Sequence, residues 1–152
     1  MIKVIHGEIW GTDFTELDQL IRDFQSCIRF SYCRFSKDKL EFNDVRKAAK
    51  VKYSTLNNRQ VSDAVVQAQA YNTRLKGEKV VFGGRKAWED LKSGAITKEE
   101  WLRRRDRQIY CRGDKTQKGN LNIRIMDDNT LRITVGTRKW VSYKLLSAHG
   151  IA

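Results

Sequence analysis

Between Trp101 and Lys118 the chain reads WLRRRDRQIYCRGDKTQK. Seven cations, Arg103, Arg104, Arg105, Arg107, Arg112, Lys115 and Lys118, face two acids, Asp106 and Asp114. Guanidinium groups so crowded repel one another unless an anion lies against them, and their planar forks of donors match the oxygens of a phosphate. The chemistry this implies is capture of a phosphate backbone, the work of a nucleic-acid binder. Trp88, Trp101, Tyr110 and Trp140 lie among the basic residues. Rings beside cations suit RNA and single strands, whose bases are open to stacking, although the same rings also serve as core.

Other chemistries lack their parts. His6 and His149 have no companion at catalytic or metal-ligand spacing, Cys27, Cys33 and Cys111 form no CxxC, and neither GxSxG nor GxxxxGK[ST] occurs. Two-metal phosphodiester cleavage needs several carboxylates gathered around Mg²⁺, whereas the adjacent Asp127 and Asp128 read as a hairpin turn. The sequence therefore predicts a binder with no catalytic residues, no metal site and no cofactor.

The 152 residues carry a net charge of +12, unevenly placed: thirteen cations to nine anions in residues 1–76, seventeen to nine in residues 77–152. The second half is the expected contact surface. Charge alone fits a membrane surface or plain solubility as well. With 40% hydrophobic and 10% aromatic residues and no low-complexity tract, the chain predicts a packed interior, as one domain or as two small lobes. No apolar run approaches the ~20 residues that span a bilayer, the N-terminus lacks a signal-peptide layout, and an odd number of cysteines suits reduced thiols. The expected setting is cytoplasmic, without a membrane partner.

Ile2, Val4 and Ile9 predict a first strand ending near Gly7 or Gly11. Asp13 then reads as a cap for a long helix striped by Phe14, Leu17, Leu20, Ile21, Phe24 and Ile28 and continuing through Tyr32 and Phe35, with Arg22, Arg29 and Arg34 off the stripe. A shorter helix is predicted over Asp44–Tyr53, and another from Asn57 or Asn58 to Gly77, burying Val61, Ala64, Val65, Ala68, Tyr71 and Leu75. Val80–Phe82 reads as a short strand before the Gly83, Gly84 pair. A helical turn with Arg85, Lys86, Trp88 and Leu91 stops at Gly94, and Thr97 with Glu100 forms a capping box opening a basic helix that runs toward Tyr110. Beyond Gly119 the period changes to two: Leu121, Ile123 and Ile125, a turn at Asp127–Asn129, then Leu131, Ile133 and Val135, and a third strand with Trp140, Val141, Tyr143 and Leu145. A three-stranded meander is marginal alone, so the first strand and Val80–Phe82 are expected to join it. Arg124, Arg132, Lys139 and Lys144 fall on or near its polar side, extending the basic surface or blunting sheet edges.

Val81, Phe82, Gly83, Gly84, Arg85 and Lys86, then GAITKEEW from Gly94 to Trp101, then Tyr110 to Gly113 and Lys118 to Asn120, resemble in order and spacing the region ahead of the nuclease domain in TnpB-like transposon proteins, relatives of the compact type V CRISPR effectors. CIRFSYCRF at Cys27–Phe35 and YSTLNNRQVSDAVVQAQ at Tyr53–Gln69 are similar to the helical recognition part of such proteins. The resemblance covers nearly the whole chain. It implies an α+β fold: a small wedge-type β-barrel or curled antiparallel sheet split by a helical insertion. The first strand would occupy residues 1–11, the recognition insertion 12–78, the basic helices and remaining strands 79–147, and a tail 148–152.

The resemblance also implies partners, a structured guide RNA and an RNA–DNA duplex, in a prokaryotic or phage-encoded setting; the chain then reads either as a free-standing remnant or as one piece of a split effector whose nuclease subunit is another chain. Carried over, the RNA-backbone contacts are Arg85, Lys86, Arg103, Arg104, Arg105, Arg107, Arg112, Lys115 and Lys118, with Trp88 and Tyr110 as stacking rings; the meander adds Arg124. Gly83, Gly84, Gly113 and Gly119 would serve turns or close backbone approach. The family's nuclease domain, with its acidic metal ligands and zinc ribbon, has no counterpart in these residues. The alternative readings are a DNA-binding regulator or counter-defence protein, and an enzyme with scattered catalytic residues.

Overall fold

The meander's alternation is what builds the sheet. In the computed structural model, which describes residues 5–76, 78–113 and 119–150, β1 (Ile5–Trp10), β2 (Ile123–Ile125), β3 (Thr130–Gly136) and β4 (Lys139–Gly150) form one antiparallel, curled half-barrel sheet in the order β1-β4-β3-β2. Among the described residues five helices separate β1 from β2: α1 (Thr15–Ser36), α2 (Phe42–Lys52), α3 (Asn58–Arg74), α4 (Arg85–Ser93) and α5 (Lys98–Arg105). The fold is α+β, a curled antiparallel sheet interrupted by helices. No helix among the described residues is long and apolar enough to cross a membrane. The expected end of α3 at Gly77 lies outside the described residues.

The chain divides into two compact units, residues 1–18 with 111–152, and residues 19–110. In the first, Ile133, Tyr143 and Leu145 turn inward with Leu17. Phe14 stacks on Tyr143, ring centroids 4.8 Å apart, and the Tyr143 hydroxyl donates to the Asp13 carbonyl at 3.3 Å. Burial, with Asp13, Asp18 and Glu16 nearby, pushes the Tyr143 phenol above its ordinary value. A Cβ at Gly11 would stand 2.7 Å from the Tyr143 ring, so the turn out of β1 passes too close for any side chain. At the β2–β3 turn Asn129 takes φ 63°, and the Asp128 carboxylate accepts from the Thr130 backbone N–H and hydroxyl at 3.2 and 2.7 Å. The paired aspartates are turn residues. β4 runs on through residues 148–150, where a tail was expected.

In the second unit, Leu20, Phe24, Cys27, Ile28 and Phe35 of α1, Val45 and Ala49 of α2, and Val61, Ala64, Val65 and Ala68 of α3 make the core. The stripe on α1 follows from three- and four-residue spacing. At α3 the Asn57 side chain accepts from the Gln60 N–H at 2.9 Å while Gln60 Oε1 accepts from the Asn57 N–H at 3.0 Å, a reciprocal cap. Gly94 ends α4 in the left-handed region, and the Thr97 hydroxyl accepts the Glu100 N–H at 3.1 Å to start α5.

Two expectations fail. Val80–Phe82 joins no strand: Phe82 packs edge-on against Tyr32 and Tyr71, at centroid distances of 5.6 and 6.1 Å, and this anchoring holds the triplet as irregular chain among the helices. α5 stops at Arg105 instead of reaching Tyr110, because the Asp106 side chain engages Arg29 and Arg105 and the chain beyond leaves helical geometry. Phe24 has no exposed surface, so Phe24→Ala should lower unfolding free energy by about 3–5 kcal/mol in urea titrations. A loss below about 1 kcal/mol would contradict this core.

Candidate nucleic-acid interface

In the helical unit, α4 and α5 place the basic residues according to which carboxylates lie within reach. Lys86, one turn before Asp90, donates to it at 2.8 Å, and Arg104 of α5 reaches the same carboxylate at 3.4 Å. That hydrogen bond raises the Lys86 ammonium above its ordinary value and holds the Asp90 carboxyl below 3.8, with Arg104 adding to the second effect. Arg104 also meets Glu100 at 3.3 Å, and Arg103 meets Glu100 at 3.2 Å with its own side chain 75% exposed. Arg105 forks onto Asp106, both nitrogen–oxygen distances 3.0 Å, and its guanidinium carbon lies 4.9 Å from the Trp101 ring centroid. Arg29 reaches Asp106 from α1 at 2.5 Å.

What remains open to a ligand is narrower than the sequence suggests. Arg85, at the first turn of α4, and Arg107 are exposed and make no ion pair or hydrogen bond among the described residues. Lys86 and Arg103 are exposed but lightly held; Arg104 and Arg105 are engaged internally. Trp88 is partly exposed and tilts against Trp101 with centroids 5.6 Å apart, and Tyr110 is open. Arg107 also borders a cavity of about 250 Å³ with Gln25, Gln67, Phe82, Gly83 and Gln108. Gly83, at φ 88°, brings the backbone against Arg105, whose Cα would sit 3.0 Å from a Cβ there. A second recess, of about 500 Å³, is lined by Gln25, Gln67, Arg107, Gln108 and Tyr110.

The run from Arg103 to Lys118 is not one surface. Arg103 to Tyr110 belongs to the helical unit, Arg112 is an exposed residue of the sheet unit, and Lys115 and Lys118 lie outside the described residues. Arg124 sits on β2, directly across from Arg132.

The structure adds a patch that sequence reasoning passed over. Arg34 and Lys52 each bring their charge to 4.8 Å from the Phe30 ring centroid, beside an opening of about 440 Å³ also bordered by Arg29, Lys37 and Tyr53. Arg34 lies off the α1 stripe, but no spacing rule joins it to Lys52. Among the described residues no three His, Cys, Asp or Glu side chains gather as a metal site. Burial pushes the Cys27 thiol up to about 12, which keeps it protonated and unreactive at neutral pH.

The SSO2105 N-terminal domain family matches residues 4–150, across both units. The chain belongs to that family. No curated protein and no solved structure matches it.

Two outcomes test that geometry. Asp106→Asn removes the charge between two guanidinium groups that are 21% exposed, and should cost about 2 kcal/mol of stability in urea melts, below the figure for a fully buried pair. Because the Asp90 carboxyl is lowered when folded, its link contributes stability above its ordinary value of 3.8 and loses it as pH falls through the lowered value. Asp90→Asn should therefore flatten the fall in urea midpoint as pH drops below the ordinary carboxyl value of 3.8. A fall as steep as in the parent protein would show that the clamp is not formed.

Proposed function

We propose that this chain is a nucleic-acid-binding module that holds structured RNA and does not itself cleave it. The observation that carries the reading is the placing of open rings near exposed cations on one stretch of the helical unit: Trp88 and Tyr110, 40% and 46% exposed, lie near Arg85 and Arg107, unpaired among the described residues, and the exposed, ion-paired Lys86 and Arg103 in the chain. The Phe30 patch, with Lys37 and Lys52, adds further positive surface. A curled sheet drawn from both ends of the chain with helices between is also the arrangement that the resemblance to TnpB-like proteins implies. On that reading the partners are a guide-type RNA, an RNA–DNA duplex and a nuclease supplied by another chain, and the protein is cytoplasmic, prokaryotic or phage-encoded.

The test removes the cations that have the weakest internal roles. Arg85→Ala, Arg103→Ala and Arg107→Ala combined should weaken binding to a structured RNA and lower the log-log salt slope by about 2, roughly 0.7–0.9 for each phosphate that is no longer neutralised. An unchanged slope rejects the helical surface as the binding face. A preference for duplex DNA over RNA would move the reading to a DNA-binding regulator.

A further inference from the structure

The outward face of the sheet gathers two open tryptophans and three cations from strands far apart in sequence. Along β4 the alternation is strict, with Tyr143 and Leu145 buried and Trp140, Ser142, Lys144 and Leu146 exposed. Register carries this outward set across the sheet. Lys144 pairs with Trp10 of β1 on one side and Thr130 of β3 on the other; Ser142 pairs with Arg132, Arg132 with Arg124 of β2, and Thr134 with Trp140. Directly opposed residues share a face, so Trp10, Lys144, Arg132, Arg124 and Trp140 form one surface.

Three features of that surface call for a ligand. Trp10 and Trp140 are 56% and 54% exposed, on a sheet whose other face holds the core of its unit; large rings left open together mark a binding surface more than isolated exposed side chains do. Arg124 and Arg132 stand opposite one another, an arrangement of like charges that destabilises a sheet unless an anion bridges them. The one acidic residue that alternation puts on this face among the described residues is Glu8, at the β1 side. The Arg132 guanidinium carbon also lies 5.1 Å from the Trp140 ring centroid, which steadies the ring's orientation before anything binds.

We infer that this face is a stacking platform for a single-stranded stretch of RNA, with bases laid on Trp10 and Trp140 and the phosphates between them held by Arg124, Arg132 and Lys144. Residues 140 and 144 are about 13 Å apart along β4, enough to separate two stacked bases along an extended strand. A duplex keeps its bases inside the helix and offers nothing to open rings; a single strand offers both a π-face and a charge at each nucleotide. The inference rests on the RNA-binding reading above and assigns to the sheet the unpaired part of that RNA.

The full chain is titrated with a fluorescently labelled twelve-residue oligouridylate, and separately with the structured RNA. The double substitution Trp10→Ala, Trp140→Ala should weaken oligouridylate binding about thirty-fold or more, the loss expected of two stacked bases. On the unsubstituted protein, ultraviolet crosslinking followed by peptide mass spectrometry should place uridine adducts at Trp10 and Trp140; this measurement needs no variant to fold. Equal affinity in the double variant, with adducts confined to residues 85–110, overturns the platform while leaving RNA binding standing. Binding of structured RNA without oligouridylate binding does the same. Tenfold tighter binding of oligothymidylate overturns the choice of RNA, capture by anionic phospholipid vesicles with no oligonucleotide binding overturns the choice of a nucleic acid, and failure with both RNAs removes the functional reading on which the platform rests.

Discussion

Asp106 holds the helical unit's charge in order. With its side chain only 7% exposed, it receives Arg29 from α1 and Arg105 from the helix it terminates, so two guanidinium groups from distant parts of the chain share one carboxylate. Its backbone N–H closes the last turn of α5 onto the Leu102 carbonyl at 2.9 Å. The following residues belong to no helix or strand, and the Gln108 carbonyl accepts from the Gln25 side chain at 2.6 Å. A second carboxylate, Asp90, does similar work between α4 and α5. With those two sites filled by their own cations, the fold sorts its arginines into structural ones and exposed ones. That sorting decides which positive charges remain without a carboxylate partner at the surface.

The two units answer like-charge repulsion differently. Among the helices, carboxylates are interleaved with the cations, and Glu100 alone serves both Arg103 and Arg104. On the outer face of the sheet the paired arginines have no carboxylate partner among the described residues, and an indole is what lies against Arg132. A guanidinium over a ring keeps its full charge, whereas one forked onto a carboxylate is neutralised.

Much of the fold was legible because its signals are local. The period-two alternation of Leu131, Ile133, Tyr143 and Leu145 places the strands, and Thr97, Gly94 and Asn57 mark helix ends through hydrogen bonds made within a few residues. The misreadings share the opposite cause. Val80–Phe82 looks like a strand until Tyr32 and Tyr71 claim Phe82, and the basic helix looks five residues longer until Asp106 finds Arg29 from 77 positions away. The site suffered most. Charge density pointed to residues 103–118, but which arginines are engaged internally, and that Trp10 lies beside Lys144, depends on pairings that no spacing rule contains.

β1 and β4 are hydrogen-bonded neighbours, yet the whole helical unit is inserted between them in sequence. A ribosome therefore delivers β1 long before the strand it pairs with, and the Gly11 turn has no Tyr143 ring to lie against until β4 emerges. The helices, whose contacts are closer in sequence, can settle during that wait. The sheet is completed last, and with it the joint presentation of Trp10 and Trp140, so a nascent chain stopped short of β4 would hold its helices without that outward face.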